Sequence, residues 1–395
     1  MSGCAAMSAR RTSIFLLPVI YLGFVSLGLP DGTLGVAWPQ MYPELRLPIG
    51  YAGGLMIVIT ALAAAAAFSS GQVVGRFGTG PVVLVSGAAT GLALLALSQV
   101  GGLAGLVLAM IPLGLGAGAV DAALNGFVAQ HYSGRQMNWL HACWGIGATS
   151  GPLVIGFAIS QGWNWRGGYV ALGTAQLVLA GLFLLTLGLW ARAPERLVAA
   201  SGSRSGVVEP TLGANSFAGW LSPAILAIYV GAELTTGLWA GSILIVARGF
   251  EPATAAMATA AYYGAITVGR IANGFVVDRW GNRRLVGLGV IVGIGGALLF
   301  TVASSVSLAT VALVLMGLGF APVYPGLMHE VPRRFVPAAV QTVIGRQAGA
   351  AGIGAAIMPA VAGAVAGSAL ETIPWLIVGC AVALLVAIRK LDRIS

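Results

Sequence analysis

The chain has 395 residues, of which 58% are hydrophobic and only 8% charged, against roughly 25% charged in a soluble globular protein. That balance excludes a soluble enzyme. A formal charge of +9 would elsewhere raise nucleic acid, but here the basic residues sit in short loops between apolar runs, so the expected partner is the lipid bilayer and not a nucleic acid.

A helix needs about 20 apolar residues to cross the hydrocarbon. Read between polar breaks, the chain predicts twelve spans beginning near residues 14, 52, 81, 103, 139, 168, 218, 253, 284, 308, 338 and 372. The runs are too long and too uniformly apolar for the alternating strands of a β-barrel. The 59 glycines and 18 prolines suit close-packed, kinked membrane helices. The first run follows the basic Arg10-Arg11 as in a signal peptide, yet it continues into Pro30-Asp31-Gly32 with no small-residue cleavage site and is long enough to span, so its retention is expected. Cys4, Cys143 and Cys380 lack metal-ligand spacing, and no metal, cofactor or disulfide is expected.

An even number of spans puts both termini on one side. If that side is cytoplasmic, inner loops and ends carry fifteen basic residues, including Arg76, Arg279, Arg283, Arg284, Arg333, Arg334, Arg389 and Lys390, while outer loops carry three, Arg46, Arg166 and Arg248. The asymmetry predicts cytoplasmic termini. Residues 192–217, rich in Ser, Gly, Arg and Pro, read as a linker between an N-terminal bundle at 1–191 and a C-terminal bundle at 218–395.

Shifting the chain by about 203 residues lays its second half on its first. Gly71, Arg76, Phe77 and Gly78 meet Gly274, Arg279, Trp280 and Gly281, and Gly114-Leu115-Gly116 meets Gly317-Leu318-Gly319. At a shift of 207, Gly145-Ile146-Gly147-Ala148 with Pro152 meets Gly352-Ile353-Gly354-Ala355 with Pro359. Two related six-helix bundles follow, and parallel repeats of this kind hold a solute between them and expose it alternately to either side. With Gly269-Arg270, Gly274 and Asp278-Arg279-Trp280-Gly281-Asn282-Arg283-Arg284 between spans eight and nine, the chain resembles the major facilitator superfamily. The resemblance implies an all-α membrane fold of twelve helices in two pseudo-symmetric bundles. It also implies a cytoplasmic gate at Arg76, Arg270, Asp278 and Arg279. The first-half copy has Gly75 where the acid is expected. For Arg283 and Arg284 a purely topological role stands beside the gate.

Ionisable side chains inside the hydrocarbon are costly and are functional hypotheses by default. Three acids qualify: Asp31, Asp121 and Glu233. Asp31 lies among Gly28, Pro30 and Gly32, which loosen span one. Counted along the helices at 1.5 Å per residue, Asp31 sits ~25 Å above Ile14 and Asp121 ~13 Å above the inner end of span four. Carboxylates at unequal heights suit a proton relay, and a structural hub for loosened backbone is the competing reading for each. Glu233 reads either as a third coupling site or as the partner of Arg270 across spans seven and eight, with the ion pair preferred.

Asn125 shares a helix face with Asp121, and Asn138 with His141. Such amides and an imidazole match a solute with several hydroxyls, while interhelical polar glue is the competing reading. Gln347 is a further cavity candidate, and Trp144, Trp239, Tyr262, Tyr263 and Tyr324 are candidate ring surfaces for a sugar; Trp163 and Trp165 fit an interfacial belt better. Arg346 reads as snorkelling to the inner surface.

Gly28-Leu29-Pro30-Asp31-Gly32, Asp121-Ala122-Ala123-Leu124-Asn125-Gly126-Phe127, Asn138 and Ala321-Pro322-Val323-Tyr324-Pro325 resemble the fucose/galactose/glucose proton-symporter branch, where acids in spans one and four serve proton coupling and sugar binding. The span-four acid is usually Glu there. The expectation is thus a monomeric plasma-membrane symporter of a small, sugar-like solute and protons. The alternatives are a proton-driven exporter of a drug or metabolite and a transport-silent sensor. HExxH, CxxC and P-loop strings are absent from the sequence, and no enzyme is expected.

Overall fold

Within hydrocarbon no water satisfies backbone N–H and C=O groups, so each apolar run closes its hydrogen bonds on itself as a helix. The structure, a computed structural model, describes residues 16–132, 134–190 and 212–395, with only the backbone described at 129–131, 134, 135, 137, 138 and 341. Helix α1 covers residues 16–28. It is followed by α2 (Thr33–Glu44), α3 (Tyr51–Phe77), α4 (Thr79–Leu97), α5 (Leu103–His131), α6 (Gly134–Ser160) and α7 (Asn164–Trp190). The second half holds α8 (Phe217–Ser242), α9 (Pro252–Trp280), α10 (Asn282–Val302), α11 (Val306–Phe320), α12 (Val323–Arg334), α13 (Pro337–Ala366) and α14 (Ile373–Ile394).

Among the described residues, eleven stretches are long and apolar enough to cross a membrane; α1 with α2 forms one, and α11 with α12 another. The twelfth predicted span is α9. Its 29 residues reach about 43 Å, but it is more polar than the others, since it carries Arg270, Asp278 and Arg279. Glu251 caps its start, accepting from the N–H groups of Ala253 and Thr254, and Pro252 follows where a missing N–H costs nothing. Those backbone donors hold the Glu251 carboxyl below the usual carboxylate range. Of the predicted linker, residues 192–211 lie outside the described residues. Leu212 pairs with Phe335 in an isolated β-bridge.

The chain divides into two compact units, Met1–Thr33 with Val58–Ser203 and Leu34–Ile57 with Arg204–Ser395. The second unit thus takes in α2 and the first turns of α3, which the sequence partition groups with the N-terminal bundle. Glycines allow this: a Cβ on Gly35 would lie 2.5 Å from the Gly237 carbonyl oxygen, and one on Gly53 2.5 Å from that of Pro359. Helix pairing repeats from unit to unit. In the first, α4 packs on α5 and α7; in the second, α10 packs on α11 and α14. The core of the first unit gathers Ile20 and Phe24 of α1, Val120, Leu124 and Phe127 of α5, and Phe183 and Trp190 of α7.

Candidate functional site

The first span breaks where the sequence places its acid. Pro30 has no N–H to continue the helix, and Gly32 takes φ +72°, a conformation in which a Cβ is strained. The loosened backbone is tied locally, with Asp31 N–H donating to the Gly28 carbonyl at 3.0 Å and the Thr33 hydroxyl donating to the Pro30 carbonyl at 2.6 Å. The Asp31 side chain is left to face α6, where the indole Nε1–H of Trp144 donates to its Oδ2 at 2.6 Å. This distance suits a charge-assisted bond. Trp144, expected to offer a ring to a solute, is therefore first of all the donor to Asp31.

Close approach of α1 and α6 makes that bond possible. A Cβ on Gly28 would strike the Trp144 carbonyl oxygen, one on Gly147 that of Val25, and one on Gly151 that of Leu29. Small residues let membrane helices meet backbone to backbone. Gly147→Leu is accordingly expected to force α1 and α6 apart and to lower stability by about 1–3 kcal/mol, the usual cost of overpacking; the unfolding midpoint of the detergent-purified protein measures it, and an unchanged midpoint contradicts the crossing. In the second unit the crossing recurs at the repeat positions. A Cβ on Gly354 would strike the Ala227 carbonyl, and Gly231 packs on Met358, which stands where Gly151 stands in the first half.

On α5, Val120, Leu124 and Phe127 turn into the core, while Asp121 is exposed. Its Oδ1 accepts from Asn125 Nδ2 at 2.9 Å, the pairing that a spacing of four predicts. The two continue the ridge of Gly114 and Gly118, on which Ile59 and Ala63 of α3 pack. His141 stands edge-on to Phe24 with centroids 5.5 Å apart. The side chain of Asn138 lies outside the described residues. Ser26 of α1 receives a hydrogen bond from Gln176 of α7 at 2.6 Å, a buried bridge that the sequence did not announce.

In the second unit α8 runs unbroken past the repeat equivalent of Asp31, because no Pro interrupts it there. Glu233 is buried at 4% exposure and pairs with Arg270 of α9, with Nη2 to Oε1 at 3.3 Å. The same Nη2 reaches the Tyr229 hydroxyl at 3.4 Å, and the Tyr262 hydroxyl donates to the Glu233 backbone carbonyl at 3.0 Å. The preferred sequence reading of Glu233 thus describes its partner correctly. Arg270, expected at the cytoplasmic gate, is held by this pair ten residues before the end of α9.

Two residues expected to meet the solute also bond to neighbouring helices. Gln347 is wholly buried and donates to Ser222 at 2.7 Å, bridging α13 and α8. Trp239 is wholly buried, its Nε1–H on the Pro359 carbonyl at 3.1 Å. Both serve helix packing, since a polar group in an apolar run gains most from a partner on the neighbouring helix. Tyr324 is half-buried and lies beside Tyr229, with centroids 6.5 Å apart. Tyr262 and Tyr263 meet edge-on in the core, with centroids 5.2 Å apart.

Nearly the whole chain matches solved transporters. The nucleoside transporter NupG matches with a TM-score of 0.71 at 16% identity over 96% of this chain and 99% of that one. A bacterial homologue of the human lysosomal transporter Spinster, in an inward-facing and occupied conformation, matches with a TM-score of 0.71 at 14% identity over 97% and 96%. The sequence model of the Major Facilitator Superfamily matches residues 211–391. The second half of the chain thus matches the superfamily's sequence model, and the chain as a whole shares the fold of these solved transporters.

Its sequence relatives are distant. An uncharacterised MFS-type transporter of Yersinia pestis is 25% identical over 83% of this chain and 76% of its own length. Bypass of stop codon protein 6 of Saccharomyces cerevisiae is 24% identical over 65% of this chain, and an uncharacterised transporter of Sinorhizobium fredii is 26% identical over 56% of it. The chain spans 56% of the length of each of these last two.

The arginine-rich end of the second unit is braced around Glu330. Asp278 and Arg279 are exposed, and among the described residues neither enters an ion pair. Arg76 is exposed over the ring of Phe77 at 5.3 Å. The charges converge instead on Glu330 of α12, which meets Arg283 of α10 at 3.1 Å and Arg333 of its own helix at 3.1 Å. Arg334 lies 3.9 Å from Glu330 and 2.6 Å from Asp392 of α14. A sequence signal existed, since Glu330 precedes two arginines by three and four residues. Glu330→Gln leaves Arg283 and Arg334 with Asp392 alone of the two acids and is expected to cost about 1–3 kcal/mol, discounted because Arg283 and Arg333 are largely exposed. Asp278→Asn, exposed and unpaired among the described residues, should change stability by less than about 0.5 kcal/mol. Unfolding midpoints of the two variants decide between them.

At the opposite end Arg248 holds Glu371 through two bonds of 2.9 and 2.8 Å and donates to the Ala303 carbonyl at 3.2 Å. In the first unit Arg166 fills the same role, donating to the carbonyls of Ser98 and Val100 at 2.8 and 3.0 Å. Trp163 is exposed as an interfacial residue should be, but Trp165 is fully buried beneath the Arg166 guanidinium, 4.3 Å from its ring.

Proposed function

We propose that the transporter takes up a small polar, sugar-like solute by proton symport across a prokaryotic plasma membrane, with both termini in the cytoplasm. The observation that carries the reading is the pairing of Asp31 with Trp144 at the break in span one. An ionisable group at a loosened turn inside a membrane span is expensive to keep and is functional by default. Asp121, with Asn125 as its amide donor, supplies a second carboxylate at another depth along the bundle. Asp31 and Asp121 take and release the proton, and Glu233 contributes through its exchangeable partner Arg270. Asn125 and His141 of the first unit are the polar groups offered to hydroxyls. The fifteen-to-three distribution of basic loop residues supports the orientation.

The experiment is uptake into proteoliposomes with an alkaline interior, offering radiolabelled hexoses, deoxyhexoses, nucleosides and a cationic dye. Gradient-dependent accumulation of a hydroxylated solute is expected. Extrusion of the dye with no accumulation of any hydroxylated solute would replace symport by export.

A further inference from the structure

We infer that the arginine-rich end of helices α8, α13 and α14 is a binding site for one anionic phospholipid. On α14 the outward stripe runs through the exposed Trp375, Val382 and Val386 and ends in the exposed Arg389, Lys390 and Arg393. An apolar track about one acyl chain long therefore leads to three cations. Beside them, Phe217 and Trp220 stand one turn apart on α8, 58% and 59% exposed.

Contacts hold these groups side by side. The Lys390 ammonium lies 4.6 Å from the Phe217 ring centroid, and the Arg346 guanidinium of α13 stacks over Trp220 at 4.0 Å. Arg346 also donates to the Ala214 carbonyl and to Asn215 Oδ1, which fixes the chain entering α8.

Charge decides what binds beside them. The acids of α12 and α14 at this end, Glu330 and Asp392, are both engaged by Arg283 and Arg334, with Arg333 also on Glu330. Among the described residues Arg389, Lys390 and Arg393 enter no ion pair. Clustered cations beside membrane helices attract anionic headgroups, and aromatic rings settle at headgroup depth. The phosphate meets the three cations, the glycerol lies against Phe217 and Trp220, and an acyl chain follows Val386 and Val382. The site owes nothing to the transported solute or to the direction of transport.

Native mass spectrometry and thermal unfolding of the full chain in detergent test it with three probes: dioleoylphosphatidylglycerol, dioleoylphosphatidylcholine and inorganic phosphate. One retained phosphatidylglycerol and a raised unfolding midpoint are expected, with neither from phosphatidylcholine or phosphate. Arg389→Gln/Lys390→Gln/Arg393→Gln should weaken retention roughly fivefold per charge removed. If the triple variant does not remain monodisperse, Lys390→Gln and the charge-keeping Lys390→Arg carry the test, the first losing lipid and the second retaining it. Equal retention of phosphatidylcholine, an equal response to phosphate alone, or full retention by the charge-removed variants overturns the site.

Discussion

Under the proposed symport, Asp31→Asn is expected to abolish concentrative uptake while leaving exchange of solute across the membrane. The amide oxygen of Asn can still accept the Trp144 N–H that Asp31 Oδ2 accepts at 2.6 Å, so the turn keeps its shape. In the proposed symport it loses the proton: a group that cannot ionise contributes nothing to the gradient-driven step but leaves solute exchange possible. The ratio of internal to external solute should fall from well above one to one, the largest functional effect expected of any single substitution here. Asp121→Asn should do the same, because its carboxylate accepts from Asn125 and the amide conserves that bond in form. Counterflow with equal pH on both sides measures exchange; uptake under an imposed gradient measures accumulation. Accumulation by both variants at the original level removes the relay.

The second large effect concerns stability. Arg270→Met leaves the Glu233 carboxylate buried in α8 with its cation gone and is expected to cost about 3–5 kcal/mol, as removal of one member of a buried pair does. Glu233→Gln/Arg270→Met removes both charges and should recover most of that loss, since an apolar or amide pair no longer has to hold an isolated charge in hydrocarbon. Unfolding midpoints of the four members of the cycle give the coupling. Additive losses would mean that the 3.3 Å contact is not an energetic pair.

The fold was legible because membrane helices are written in runs that no other structure can satisfy. Starts predicted near 52, 103 and 253 correspond to α3, α5 and α9 beginning at Tyr51, Leu103 and Pro252. The repeat was legible in glycines, and the structure gives the cause: Gly147 and Gly354 occupy equivalent crossings where a Cβ would strike the Val25 and Ala227 carbonyls. Side-chain partners across helices were not legible. The spacing of Asp121 and Asn125 lies within one helix and could be read, whereas Trp144 reaches Asp31 across 113 residues of sequence. Polar residues were read as facing a cavity, yet Gln347 and Trp239 face neighbouring helices, because inside a bilayer a bonding partner on another helix and a hydrated hollow satisfy the same group equally well. The charge cluster was sought at Asp278 from a motif, and it formed around Glu330, where side chains of α10, α12 and α14 meet.

Proton movement itself is the most direct measurement. In weakly buffered proteoliposomes with a pH dye outside, addition of the transported solute should make the exterior alkaline at a rate that follows uptake, and neither Asp31→Asn nor Asp121→Asn should produce the change. Uptake of that solute with no alkaline shift, or a shift of full size in both variants, contradicts proton coupling through these carboxylates.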